Sequence, residues 1–232
     1  DTHYKITRSV VEEHVVRTSA NDPTYIPPAS ILNWPAEGNQ SLGQDQFLAP
    51  FFDVNNNGEY EPESGDYPDY NVSGTNDEAA LFGDQTLFWI FNDKGNIHSE
   101  TAADALGLEI HAQAFGFAAD NEVNDMTFYN YKIINRSTLP LFNTYFGQWV
   151  DADLGDSQDD FVGCDASRGL GFCYNGGTTD EDNPANGSRG YGSTPPAVGV
   201  DFFEGPFADN DGIDNPLTQV VADALDSNGI PY

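Results

Sequence analysis

The sequence predicts an all-β fold: mainly an antiparallel β-sandwich, jelly-roll-like, with long loops and one or two short helices. Three observations lead there. Short apolar or alternating segments recur through the second half of the chain, and Gly/Asn/Asp turns separate them. Gly (23) and Pro (14) are abundant in 232 residues, which suits many turns and few long helices. Aromatic residues make up 13%, enough to build a core despite the acidity of the chain.

The elements follow in order. Residues 8–18 read as a short helix, with Ser9 and Glu12 at capping-box spacing and Val11, Val15 and Val16 along one stripe. From 19 to 50 Pro and polar residues dominate. There Trp34-Pro35 and the run from Phe47 to Phe52 read as anchors onto a core. Thr86–Phe91 is a compact apolar run of strand length, and Leu108–Ala114 alternates with Leu108, Ile110, Ala112 and Ala114 on one face. Met126–Ile134 is rich in aromatic and β-branched residues. Leu141–Val150 is expected to pair back with it after the turn at Asn135–Pro140. Phe161–Asp165 and Leu170–Tyr174 form a second expected hairpin, and Ala197–Phe203 a further strand. Residues 175–196 read as a long polar loop and flexible tip. A last helix is marked by Asp214 or Asn215 as cap, Pro216 in its first turn and Gly229 at its end. This divides the chain into 1–80, an extended segment with a short helix and a loop, packed on a sandwich at 81–232 with the C-terminal helix. The whole reads as a fragment of a longer protein.

Thirty-eight acidic against 8 basic residues give a formal charge of -30. Such a surface repels nucleic acid and anionic lipid, and no apolar run is long enough for direct membrane insertion. The same charge strains the compact state unless cations neutralise part of it.

Asp53-Val-Asn-Asn-Asn-Gly58 carries the strongest chemical signal. Oxygens at positions 1, 3 and 5 followed by Gly at 6 make the first half of an EF-hand-like loop. Ca²⁺ prefers six to eight oxygen ligands, and Gly58 can take the positive-φ corner that other residues resist. Position 12 is Ser64 rather than Glu. Asp66 is the candidate that closes the shell, with Glu61 and Glu63 as rivals, so the expected ligands are Asp53, Asn55, Asn57, Glu59 and Asp66. A plain solvated Asn/Gly turn is the competing reading. Asp209, Asp211 and Asp214 around Gly212 form a second candidate, against a turn that leads into a capped helix. The acidic stretch 151–160, with Asp151, Asp153 and Asp156 as ligands, forms a third, against a solvated acidic loop.

Cys164 and Cys173 fit a cross-strand disulfide if a two-residue turn sits at Arg168-Gly169; a four-residue loop would offset them and leave two thiols. Four histidines without HxxxH or HExxH spacing give zinc no support. GxSxG, Walker and dinucleotide motifs are missing, and among 38 acids no glycosidase pair can be singled out, so an enzyme is not expected. Asn71, Asn135 and Asn186 match the glycosylation sequon by spacing alone. Trp34, Trp89 and Trp149 are expected in cores before sugar-stacking platforms.

Several blocks resemble large secreted proteins of Bacteroidota exported by the type IX secretion system. They are Phe52–Pro68, Phe88–Asp93, Tyr129–Ser137, Val162–Asp165 with Arg168–Gly171, Tyr174–Gly176, Pro195–Phe203 and Asp211–Asn215. The resemblance implies an extracellular or cell-surface location and a structural, adhesive or matrix-forming role, and it brings no catalytic residues. It strengthens calcium at Asp53, Asn55, Asn57 and Asp66. The expectation is a calcium-stabilised structural or adhesive module, a subunit of a filament or matrix, with self-association or other surface-protein domains as partners. The alternative is a carbohydrate-binding or carbohydrate-active module, with polysaccharide as partner.

Overall fold

A computed structural model describes residues 2–72, 80–141, 144 and 146–205. The expected C-terminal helix and the candidates Asp209, Asp211 and Asp214 lie outside them. The described chain is built of antiparallel sheets with two helices, so the all-β reading holds. It divides into two compact units, at 143/144 rather than at residue 80.

In the first unit, β1 (Tyr4–Thr7), β4 (Gln85–Asn92), β5 (Leu108–Gly116) and β6 (Phe128–Asn135) form one sheet in the order β1-β4-β5-β6. β1 leaves no sign in the local pattern; its pairing with β4 (Ile6 opposite Thr86) is why a boundary near 80 would cut the sheet. Period-2 alternation puts Ile6, Thr86 and Phe88 on the buried face. Helices α1 (Arg8–Ser19) and α2 (Ala29–Leu32) cover that face together with the described parts of the chain between Trp34 and Leu81. A small β2–β3 pair (Phe51–Phe52 with Tyr67–Pro68) lies within that chain. In this unit the layer over the sheet is therefore irregular chain and helix, not a second large sheet.

Trp34 packs 5.7 Å from the Phe88 ring and donates its Nε1–H to the Pro50 carbonyl at 3.0 Å. Tyr70 donates to Thr86 Oγ1 at 2.7 Å, and Thr86 donates onward to the Phe82 carbonyl, so this buried hydroxyl pair is satisfied. The Ser9–Glu12 capping box does not form. Thr7 is the N-cap, without a side-chain bond, because β1 runs straight into α1; the Arg8 N–H is taken by the Asp84 carbonyl instead. Val11 and His14 are buried, while Val16 is 66% exposed. The described residues of 141–150 lie in no strand, contrary to the expected hairpin, which leaves β6 at the edge of the sheet. Among the described residues no helix is long and apolar enough to cross a membrane.

The second unit carries β7 (Asp160–Asp165), β8 (Leu170–Asn175) and β9 (Ala197–Asp201) in that order. Asp165 fixes the hairpin turn: its Oδ1 accepts from the Ser167 N–H and hydroxyl, and Gly169 takes φ +69°. The turn therefore spans four residues. Cys164 pairs with Gly171 and Cys173 with Val162, so of the two readings left open it is the four-residue loop with two free thiols that forms, and not the disulfide. Cys164 is exposed and Cys173 buried. Burial raises the Cys173 thiol pKa, so one equivalent should react quickly with iodoacetamide and a second only slowly. Identical electrophoretic mobility with and without reductant checks the pairing. The loop 175–196 is a folded element rather than a loose tip: Asp180 and Gly192 exchange two backbone bonds of 2.9 Å, and Asn183 bridges Ser188.

Candidate metal centre

The loop between β2 and β3 adopts the turn that its spacing demands. Gly58 sits at φ +79° and Asn56 at +57°. The Gly58 N–H donates to Asp53 Oδ2 at 2.7 Å. Asn55 Oδ1 accepts from the Asn57 N–H at 3.0 Å, and Asn57 Oδ1 from the Glu59 N–H at 2.8 Å. These bonds wind the backbone so that alternate side chains share one side. The Gly58 N–H, helped by those of Asn57, Asn56 and Asn55, holds the Asp53 carboxyl below its ordinary pKa.

Asp53 Oδ1 has no such partner. It is buried without a hydrogen bond among the described residues. A buried anionic oxygen normally meets a donor or a cation. Beside it Glu61 reaches back over the loop, and its Oε2 accepts from Asn57 Nδ2 at 2.7 Å. Of Asp66, Glu61 and Glu63, Glu61 is the one whose side chain bonds the loop's asparagines.

Asp66 is engaged by the backbone at both carboxylate oxygens. It is wholly buried; Oδ1 accepts from the Val54 N–H at 2.9 Å and Oδ2 from the Glu61 N–H at 2.8 Å. It ties the two ends of the loop together and leaves only its remaining lone pairs for an ion. The Glu59 side chain is exposed. Among the described residues no three His, Cys, Asp or Glu side chains form a metal-holding group. A cation here would be held by Asp53 and Glu61 with the amide oxygens of Asn55 and Asn57. That all-oxygen set fits calcium rather than a softer metal.

His14 links the loop to helix α1. Its Nε2 lies 3.0 Å from the Asp66 carbonyl and its Nδ1 3.1 Å from Tyr25 Oη. A carbonyl only accepts, so Nε2 carries the proton and Nδ1 accepts from the tyrosine. Burial lowers the His14 pKa below 6.5, partly offset by the Asp66 carbonyl and by the charges of Asp66 and Glu63. The folded chain therefore binds this proton less readily than the unfolded chain. Stability from His14 is present above the ordinary value and falls as pH drops below it, towards the folded pKa. Melting in EDTA should show this loss, and His14→Gln should flatten it.

In the second unit, Asp151 and Asp153 are exposed. Asp156 accepts from Asn183 Nδ2 at 2.8 Å and Asn186 Nδ2 at 3.2 Å. The acids near it are Asp159, Asp160 and, from the distant loop, Asp180; the first two lie within the acidic stretch but were not singled out, and Asp180 was missed altogether.

No family model, curated protein or solved structure matches the chain.

Proposed function

We propose that this chain is a calcium-stabilised, non-enzymatic structural or adhesive module of a bacterial surface protein. It works outside the cell and associates with copies of itself or with other surface-protein domains. One observation carries the reading: the turn at 53–58 satisfies one oxygen of Asp53 with the Gly58 N–H and leaves the other buried without a partner, next to Asn55, Asn57 and Glu61. The charge of -30 supports it, since divalent ions relieve repulsion in a chain with so few cations. Self-association is supported by edge strand β6, where Tyr129, Tyr131 and Ile133 are exposed on one side. An edge with large apolar side chains is suited to pairing with another chain.

Equilibrium dialysis with radioactive calcium tests the metal, and sedimentation with and without calcium tests assembly. Wild type should bind calcium in the range of extracellular modules, roughly 10⁻⁴–10⁻³ M, and Asp53→Asn should bind one ion fewer. Equal binding by the two proteins would remove the site.

A second reading, carbohydrate binding, rests on Trp149. It is 89% exposed and lines a groove of about 560 Å³ with Gln148, Phe172, Asp201 and Phe202, whereas Trp34 is in the core. Loss of glycan retention in Trp149→Ala would favour it; no retention by wild type would dismiss it.

A further inference from the structure

The first unit holds a cavity that the loop at 53–66 does not use. It lies between the chain at 45–51 and the face of β5 and β6 that points away from Tyr129, Tyr131 and Ile133. Its volume is about 510 Å³, and small-molecule pockets run from roughly 300 to 1,000 Å³. Strand alternation puts His111 and Gln113 of β5 on this face, directly opposite Lys132 and Asn130 of β6, and all four line the cavity. Phe47, Phe51, Phe82 and Phe88 supply aromatic walls. Phe88 belongs to the core, while Phe47 and Phe82 stay open at 51% and 38% exposure.

Two polar groups of this lining lack partners among the described residues. Gln113 is 8% exposed, and its Oε1 is buried without a hydrogen bond. The amide is fixed in this orientation, because its Nε2 donates to the Ala80 carbonyl at 2.9 Å and an oxygen turned there would face another acceptor. A buried acceptor without a donor is unfavourable. Lys132 is the other group. The cations near it are engaged: Arg136 pairs with Asp45 and Glu109, and His111 Nε2 lies 2.8 Å from Glu109 Oε1. Lys132 itself pairs with no acid among the described residues and stands at the exposed rim.

Aromatic walls, a buried acceptor and a rim cation call for a flat apolar body that carries a donor and a carboxylate. Net charge narrows the class. A chain of -30 repels a simple anion, and Lys132 repels a simple cation. A molecule that bears both charges meets neither penalty. We propose that this cavity binds a free aromatic α-amino acid. The ring lies among the phenylalanine side chains, the carboxylate meets Lys132, and the ammonium donates to Gln113 Oε1. The Asn130 amide can bond either head group. This goes beyond the structural role proposed above and requires no ion at 53–58.

Equilibrium dialysis of the whole chain in calcium tests it, with phenylalanine, 3-phenylpropionate and 2-phenylethylamine as probes. Wild type should bind one phenylalanine with a Kd of about 1 mM or below, and each probe that lacks one head group should bind about tenfold more weakly. Lys132→Met keeps the apolar stem at an exposed position, so it should melt as wild type does. It should weaken phenylalanine and phenylpropionate about tenfold and leave phenylethylamine unchanged. Gln113→Met should weaken phenylalanine but not phenylpropionate. The proposal is overturned if wild type holds no phenylalanine at about ten times that Kd, or if phenylpropionate binds as well as phenylalanine. An equal effect of Lys132→Met on phenylalanine and phenylethylamine overturns it too, as does no effect on either. Loss of phenylalanine in Trp149→Ala would assign the ligand to the groove of the second unit and likewise overturn it. Loss of calcium binding in Asp53→Asn with phenylalanine still bound removes the metal reading and leaves this one standing.

Discussion

In EDTA the chain should melt about 5–10 °C below its midpoint in calcium at about 100 times Kd, ~10 mM for the tight end of the range given above, and Asp53→Asn should recover only part of that difference. A ligand at about 100 times its Kd stabilises the folded state by about 2.7 kcal/mol. For a chain of this size each kcal/mol moves the midpoint by roughly 2–4 °C. Asn at position 53 keeps the shape and an acceptor for the Gly58 N–H, so the turn survives. What it removes is the charge on the unpaired oxygen, which makes the loss specific to the ion. Screening of the -30 charge would also raise the midpoint. Sodium chloride at matched ionic strength isolates that contribution and should account for only a small part. Equal midpoints in calcium and in matched salt would end the metal reading of this loop.

Much of this architecture can be read from local pattern, and the failures have identifiable causes. Strands β4 to β9 fall within about two residues of their apolar runs, because period-2 alternation and Gly/Asn turns are local signals. Strand β1 has only four residues and draws its identity from pairing with β4, 80 positions away; sequence spacing does not contain that information. Helix α1 begins one residue before the expected cap because the Asp84 carbonyl, a tertiary partner, takes the first N–H. The cysteine register turned on hairpin length. The signal is present in Asp165-Ala-Ser167, an Asx turn, but two cysteines equidistant from Arg168-Gly169 keep the shorter loop open beside the four-residue one. At the 53–58 turn, residue type and spacing dictated the geometry, since each Asx oxygen caps an N–H two to five residues on. Asp66 is legible as a candidate ligand, but its two backbone bonds are not. Whether a carboxylate faces an ion or the backbone depends on burial, and burial depends on α1 packing over the loop. Asp180 left no trace in the acidic run at 151–160, because only the folded 175–196 loop brings it there.

Asp66→Ala should be the most damaging single substitution in the first unit, and its damage should not depend on calcium. The wild-type carboxylate is fully buried and accepts two backbone N–H bonds, from Val54 and Glu61, which close the loop across twelve residues and five. Bonds to a charged group contribute about 1.5–3 kcal/mol each, so losing both costs roughly 3–6 kcal/mol. The two N–H groups would be left in a site that excludes water. Against a total stability of about 5–15 kcal/mol, that is enough to populate unfolded unit 1 at room temperature. Asp66→Asn keeps one acceptor oxygen and should lose about half as much. The measurement is urea denaturation in EDTA, followed by far-ultraviolet circular dichroism. A brace predicts the full loss in EDTA, because the backbone bonds exist without an ion. A residue that served mainly as a ligand would show its loss only in calcium, and Asp66→Ala would match wild type in EDTA. The ranking in EDTA, Asp66→Ala far below Asp53→Asn, therefore separates the acid that holds the loop from the acid proposed to face an ion.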